Sequence, residues 1–206
     1  MSQIYVSLDL ETTGLNPETD QIIEIGAVKF QGKENLDTFH TLVNPYQPLP
    51  LYICLLTSIT QEEVKTAPPL AAVAGGLVSF VGDHPIVGQN IPFDLNFLSS
   101  KGIRFSNPTC DTRELANIFL PRLSDYSLSG LARELGVPCP VHHRALADAI
   151  TAKEVFLGLI DKISQLDASL IVEINRLTAA TDWSFRKLLL DLKLKEVLAE
   201  AVPQAR

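Results

Sequence analysis

Four carboxylates and one imidazole fall where the chain changes from one element to the next, and their types suit chemistry on phosphate. Asp9 and Glu11 alternate with Leu8 and Leu10 at the end of an apolar, β-branched stretch. Residues i and i+2 of a strand leave the same face with about 7 Å between Cα atoms, so two acids so placed can share a cation. Asp94 follows the turn Gly88-Gln89-Asn90-Ile91-Pro92-Phe93 and opens a helical segment. His143 precedes a long segment rich in alanine and leucine, and Asp148 lies on its first turns.

Cleavage of a phosphodiester needs a deprotonated water and a stabilised leaving oxygen, and two divalent ions roughly 4 Å apart serve both needs. Mg²⁺ and Mn²⁺ prefer carboxylate and water oxygens, which Asp9, Glu11, Asp94 and Asp148 supply. His143 is the fitting base, since imidazole exchanges its proton near neutrality while a metal-bound carboxylate does not. Each acid alone has an ordinary reading. Asp94 suits a helix N-terminus, and Asp148 can pair with Arg144 four positions earlier. Position argues for Asp9, because between Leu8 and Leu10 its charge would be buried at high cost without a cation. The five-residue offset to Asp148 selects His143, leaving His142 as structural or solvent-facing.

The elements that must position these groups follow from pattern. Ile4 to Leu10, Ile22 to Phe30 and Leu36 to Val43 read as strands, and Gln31-Gly32-Lys33-Glu34 as a hairpin turn, giving an antiparallel meander. Asn44-Pro45 through Pro50 breaks the pattern. Thr60-Gln61-Glu62-Glu63 is a capping-box start, and Pro68-Pro69 precedes an apolar helix to Val81. Ile86-Val87-Gly88 and Pro108 to Thr112 read as short strands. Helices are expected over Phe93 to Ser100, from the end of the second of these strands through Phe119, over Ser127 to Leu135 with Gly136 as stop, and over Arg144 to Ile163. Strands first and helices interleaved with strands later point to an α/β domain with a mixed central sheet. Past about Leu166, Leu166 to Thr178 and Ser184 to Ala201 have helical spacing, the latter with Lys187, Lys193 and Lys195 on one side. The division is 1–165 as the main domain and 166–206 as a helical appendage.

Composition narrows the class further. The hydrophobic fraction of 46% and charged fraction of 20% are those of a globular protein. No apolar run approaches the roughly 20 residues of a membrane span. Cys54, Cys110 and Cys139 have no zinc or redox spacing, and Met1 to Val6 does not resemble an export signal, so the cytoplasm is the expected compartment. The net charge of −7 argues against coating duplex DNA broadly, yet leaves room for gripping a strand end.

Asp9-Leu10-Glu11-Thr12-Thr13-Gly14-Leu15, Gly88-Gln89-Asn90-Ile91-Pro92-Phe93-Asp94 and His143-Arg144-Ala145-Leu146-Ala147-Asp148 resemble, in order, the three motifs of the DEDDh exonuclease superfamily. Its members include the epsilon proofreading subunit of bacterial replicative polymerase, ribonuclease T and oligoribonuclease. The resemblance runs from about Ile4 to Leu159. It implies a ribonuclease H-like fold with a mixed five-stranded sheet and flanking helices, and 3′→5′ release of nucleoside monophosphates. It further implies that Asp9 bridges two ions, that Glu11 and Asp148 complete the nucleophile side, and that Asp94 acts partly through water. By the same resemblance, backbone groups of Thr12 and Thr13 hold the 3′-hydroxyl, Leu15 wedges against the last base, and Phe93 offers a stacking surface. One departure is Ser58, where relatives usually have glycine.

Asn175-Arg176-Leu177 and Thr181 to Arg186 resemble the linker that follows this domain in bacterial proteins joined to a damage-inducible helicase. No Gly-x-x-x-x-Gly-Lys-Ser/Thr loop is present, so the chain holds no helicase motor. The expected partners are nucleic acid 3′ ends, DNA ahead of RNA, with polymerase or helicase docking through the last helices. A homodimer is left open. The competing readings are an exoribonuclease and a catalytically silent accessory module.

Overall fold

A computed structural model of the chain describes residues 3–139, 143–181 and 183–190. The strands β1 (Ile4–Thr12), β2 (Ile22–Gln31) and β3 (Glu34–Leu42) form the expected antiparallel meander. The short strands β4 (Ile86–Gly88) and β5 (Thr109–Asp111) extend the sheet on the other side of β1, parallel to it. Among the described residues these make one mixed five-stranded sheet in the order β3-β2-β1-β4-β5. β3 lies at one margin, and Glu34 to Thr38 on it are exposed.

The helices are α1 (Leu51–Thr57), α2 (Gln61–Thr66), α3 (Leu70–Val81), α4 (Pro92–Ser100), α5 (Thr112–Phe119), α6 (Leu128–Leu135), α7 (Ala145–Ser164) and α8 (Ala168–Leu177). Thr60 and Glu63 form the expected capping box on α2. Helix α1 was not expected. It is a single short helix after Pro50, and it ends at Ser58 in the left-handed region, with φ 59°.

Strand alternation divides the core between the two faces of the sheet. Val6, Leu8 and Leu10 of β1 join Ile25 and Ala27 of β2 in a cluster with Leu77, Val81 and Phe97. On the other face Tyr5 pairs with Phe30, Asp9 with Gly26 and Glu11 with Glu24 across the β1–β2 ladder. Helix α7 covers this second face. Its Phe156 ring lies 5.3 Å from Tyr5 and 6.3 Å from Phe30, and Ala145, Ala149 and Ala152 are fully buried. The spacing of those alanines puts methyl groups on one stripe, which lets helix and sheet approach closely. Lys153 is also buried, its Nζ donating to Asn35 Oδ1 at 2.6 Å and pairing with Glu154.

Contacts divide the chain into two compact units, 1–158 and 159–206, with the boundary inside α7. The first holds the sheet. In the second, Asp167 caps α8 by accepting from Ser169 N, residues 185–190 are helical, and Arg186 donates to the carbonyl of Ala179. The helix expected to reach Ala201 is described only as far as residue 190. Lys193, Lys195 and His142 lie outside the described residues. Among the described residues, no helix is long and apolar enough to cross a membrane.

Candidate active site

The carboxyl ends of the three parallel strands lie along one edge of the sheet, where open α/β sheets bind ligands. β1 brings Asp9 and Glu11 there, on the face that α7 covers. Strand β4 ends at Gly88, so the N–H of Leu10 finds no further strand on that side. Asp94 supplies the missing acceptor: from the first turn of α4, its Oδ1 takes a 2.9 Å hydrogen bond from Leu10 N. The carboxylate, 4% exposed, is thereby fixed to the backbone between Asp9 and Glu11.

The last two groups arrive with α7. His143 adopts φ 60°, and its N–H donates to Asp148 Oδ2 at 2.8 Å, closing a tight turn onto the helix. Glu11, His143 and Asp148 can each offer a ligand atom such that all three atoms lie within 4.8 Å of one another. His143 is exposed and Asp148 is buried, so the imidazole faces solvent while the carboxylate backs it.

The electrostatics of the cluster call for a cation. Burial holds the Asp9 carboxyl well above the ordinary carboxylate range, and the charges of Asp94, Asp148, Glu11 and Glu24 add to the effect. Burial likewise pushes Glu11 up to about 8, with Asp148 and Glu24 contributing, while Arg144 draws it down. Asp94 is raised by burial although hydrogen bonds oppose the shift. Acids gathered this closely cannot all ionise unless positive charge enters with them. Hard oxygen donors plus one imidazole fit a divalent ion of the Mg²⁺ or Mn²⁺ kind.

Two residues that pattern reading passed over hold this arrangement together. Glu24 of β2 is fully buried and accepts from His40 Nε2 at 2.7 Å, from the Arg144 guanidinium at 2.8 Å and from Ala145 N at 2.9 Å. Arg144, which the sequence offered as a partner for Asp148, is committed to Glu24. The hydrogen bonds from Arg144, His40 and Ala145 outweigh burial and hold the Glu24 carboxyl below its usual range. Gly26 lies directly beneath the start of α7, where a Cβ would meet backbone atoms of Ala145 and Leu146 at 2.1–2.5 Å. Both left a trace in the sequence: a charge among Ile22, Ile23 and Ile25 must be paired if buried, and a glycine inside a strand marks close approach of another backbone.

The loop after β1 is braced from within. Thr13 N donates to Gln21 O, its carbonyl accepts from the Tyr52 phenol at 3.2 Å, and its hydroxyl accepts from Gln21 N and Gln47 Nε2. The hydroxyl of Thr12 donates to Gly14 O at 2.6 Å. Leu15 is 83% exposed at the tip. Phe93 is half-buried, its ring 4.9 Å from Phe97. At the ends of β4 and β5 a groove of about 470 Å³ is lined by Gln89, Asn90, Arg113 and Tyr126 among others. Asp111 Oδ1 braces it, accepting from Asn90 N and from Arg113 N.

Comparison with known proteins agrees with this layout. A family model described as Exonuclease, of the RNase T family, matches residues 6–156. The PolC-type DNA polymerase III of Caldanaerobacter subterraneus subsp. tengcongensis is 36% identical over 188 residues, covering 89% of this chain and 13% of that protein. The PolC-type enzyme of Bacillus subtilis is 31% identical over 179 residues, covering 84% of this chain and 12% of that protein. The chain thus spans a small part of the curated relatives it matches. Exonuclease X, solved in complex with 5′ overhanging duplex DNA, superposes with a TM-score of 0.64 at 25% identity, covering 76% of this chain and 91% of that one. The nuclease domain of 3′hExo, a DEDDh family member bound to rAMP, shares the fold with a TM-score of 0.65 at 20% identity, covering 78% and 92%. With the motif acids at one sheet edge and the family model spanning both ends of that site, the chain belongs to the RNase T family of exonucleases.

Proposed function

We propose that the chain is a 3′→5′ exonuclease that hydrolyses the terminal phosphodiester of a DNA strand, single-stranded or frayed, in proofreading or repair. The observation that carries this reading is the convergence of Glu11, His143 and Asp148 within 4.8 Å, beside the desolvated carboxyls of Asp9 and Asp94. Asp9, Glu11, Asp94 and Asp148 would hold two divalent ions, Mg²⁺ or Mn²⁺. Bound there, such ions supply Lewis acidity at the scissile phosphate and neutralise charge on the leaving oxygen.

The chain's own groups do the rest. His143 takes the proton from the attacking water, and its exposure lets it return that proton to solvent. Asp148 accepts the His143 N–H and so holds the turn that carries the imidazole. Thr12 and Thr13 form the floor that receives the strand end, Leu15 wedges against the last base, and Phe93 lies beside it. Residues 1–165 act as the nuclease and 166–206 as an appendage that docks on a polymerase or helicase partner. The PolC-type relatives favour DNA as substrate and a polymerase setting.

A 5′-labelled oligonucleotide incubated with Mg²⁺ tests the proposal. The expected result is a ladder of products shortened from the 3′ end, abolished by Asp9→Ala and by Asp148→Ala. No ladder, or one that survives both substitutions, overturns it. Rates on matched DNA and RNA oligomers decide the sugar, and faster cleavage of RNA would make the chain an exoribonuclease.

A further inference from the structure

Glu24 is not among the motif acids, yet its carboxylate accepts from three residues. Its partners come from three places: His40 on β3, Arg144 on the turn before α7, and Ala145, the first residue of α7. The residues it grips, 144 and 145, lie between His143 and Asp148. A carboxylate at a helix N-terminus also meets the positive end of the helix dipole, which strengthens the Ala145 contact.

Arg144 is a cation beside the cluster, because the Glu24 it binds is the register partner of Glu11 across the β1–β2 ladder. A guanidinium pairs readily with any carboxylate in reach and forms two parallel hydrogen bonds where it can. Glu24 holds both Nε and an Nη of Arg144, at 3.1 and 2.8 Å. Without Glu24, the carboxylates left within reach of its charge are Glu63, on α2, and Glu11, which is assigned to the divalent ions.

Resting on the exonuclease reading above, we propose that Glu24 is a positioning residue. It sets the turn that carries His143 and Asp148, and it retains the Arg144 guanidinium so that this cation does not occupy the space of the divalent ions. Removing the Glu24 charge releases Arg144 toward Glu11, and the site loses affinity for divalent metal.

The test uses the full chain and Mn²⁺ binding followed by electron paramagnetic resonance, beside melting of the metal-free protein. Glu24→Gln is expected to weaken Mn²⁺ binding at least tenfold in the folded protein. Combining it with Arg144→Gln is expected to recover part of that loss, because the released cation is gone while the turn stays unbraced. A purely structural role would lower the melting temperature and leave the Mn²⁺ affinity of folded molecules unchanged, which overturns the proposal. Additive losses in the double variant overturn it as well. Should Glu24→Gln fail to fold, Glu24→Asp keeps the charge but cannot span Arg144 and Ala145 together. An intermediate weakening is then expected, and wild-type affinity counts against the proposal. Wild-type protein that binds no Mn²⁺ sinks the exonuclease reading itself, whereas wild-type binding with unaffected variants sinks only the role of Glu24.

Discussion

The backbone nitrogen of Leu146 lies 2.1 Å from where a Cβ on Gly26 would stand. Helix α7 therefore rests on bare strand backbone, and Gly26 is the register partner of Asp9. The absence of one side chain sets the height at which Asp148 meets the acids of β1. Gly26→Ala must push the helix outward against backbone, which does not yield as a flexible side chain does. A loss of about 3 kcal/mol in urea unfolding is expected, the upper end for an overpacked interior. A nuclease rate at least tenfold lower should accompany it, and unchanged stability would show that the helix is not seated this way.

The acid cluster makes the stability of the metal-free protein depend on pH in a definite direction. Glu11 is raised from 4.5 to about 8, so between those values the folded chain holds more protons than the unfolded one. Stability then falls as pH rises. Asp9 and Asp94 shift the same way. Glu24, lowered by its partners, acts oppositely and only on the acid side of its ordinary value. The melting temperature of the chain in chelator is expected to decline from about pH 5 to about pH 8. Mn²⁺ should raise it more at the alkaline end, since ligand binding to the folded state stabilises it. Glu11→Gln should flatten the decline in a calorimetric series.

Asp9→Asn separates function from stability. It removes a charge that burial and four neighbouring acids all oppose. Calorimetry in chelator should give a higher melting temperature than wild type, while the exonuclease rate with Mg²⁺ drops at least about a hundredfold, as for removal of a preorganised electrostatic group. A variant that is both less stable and active would contradict the assignment.

The family resemblance implies glycine where this chain has Ser58, and the left-handed backbone there supplies the reason. Ser58 closes α1 at φ 59°, a conformation that disfavours a Cβ by roughly 1–2 kcal/mol. Ser58→Gly is expected to stabilise the protein by about 1 kcal/mol in denaturant titration, the gain being trimmed by the greater freedom of glycine in the unfolded chain.

Local pattern made the meander, the capping box at Thr60 and the helix stop at Gly136 legible, because each is written in neighbouring residues. Helix α1 was not, since Leu51, Tyr52, Leu55 and Leu56 are all exposed and leave no amphipathic stripe to read. The site divides in the same way. Asp9, Glu11, Asp94, His143 and Asp148 were picked out by type and spacing. Glu24 and Gly26 acquire meaning only against Arg144, Ala145 and Leu146, about 120 residues away, and a lone charge or glycine in a strand does not name its partner. The brace of Thr13 by Tyr52 and Gln47 is equally non-local.

Both margins of the sheet make poor templates for a foreign strand. β3 presents Glu34 and Asp37 on an exposed run, and β5 offers three residues. Short or charged borders of this kind deter edge-to-edge pairing. Such a unit can be carried as a passenger within a much longer polypeptide, as its PolC-type counterparts are, without seeding aggregation among crowded copies.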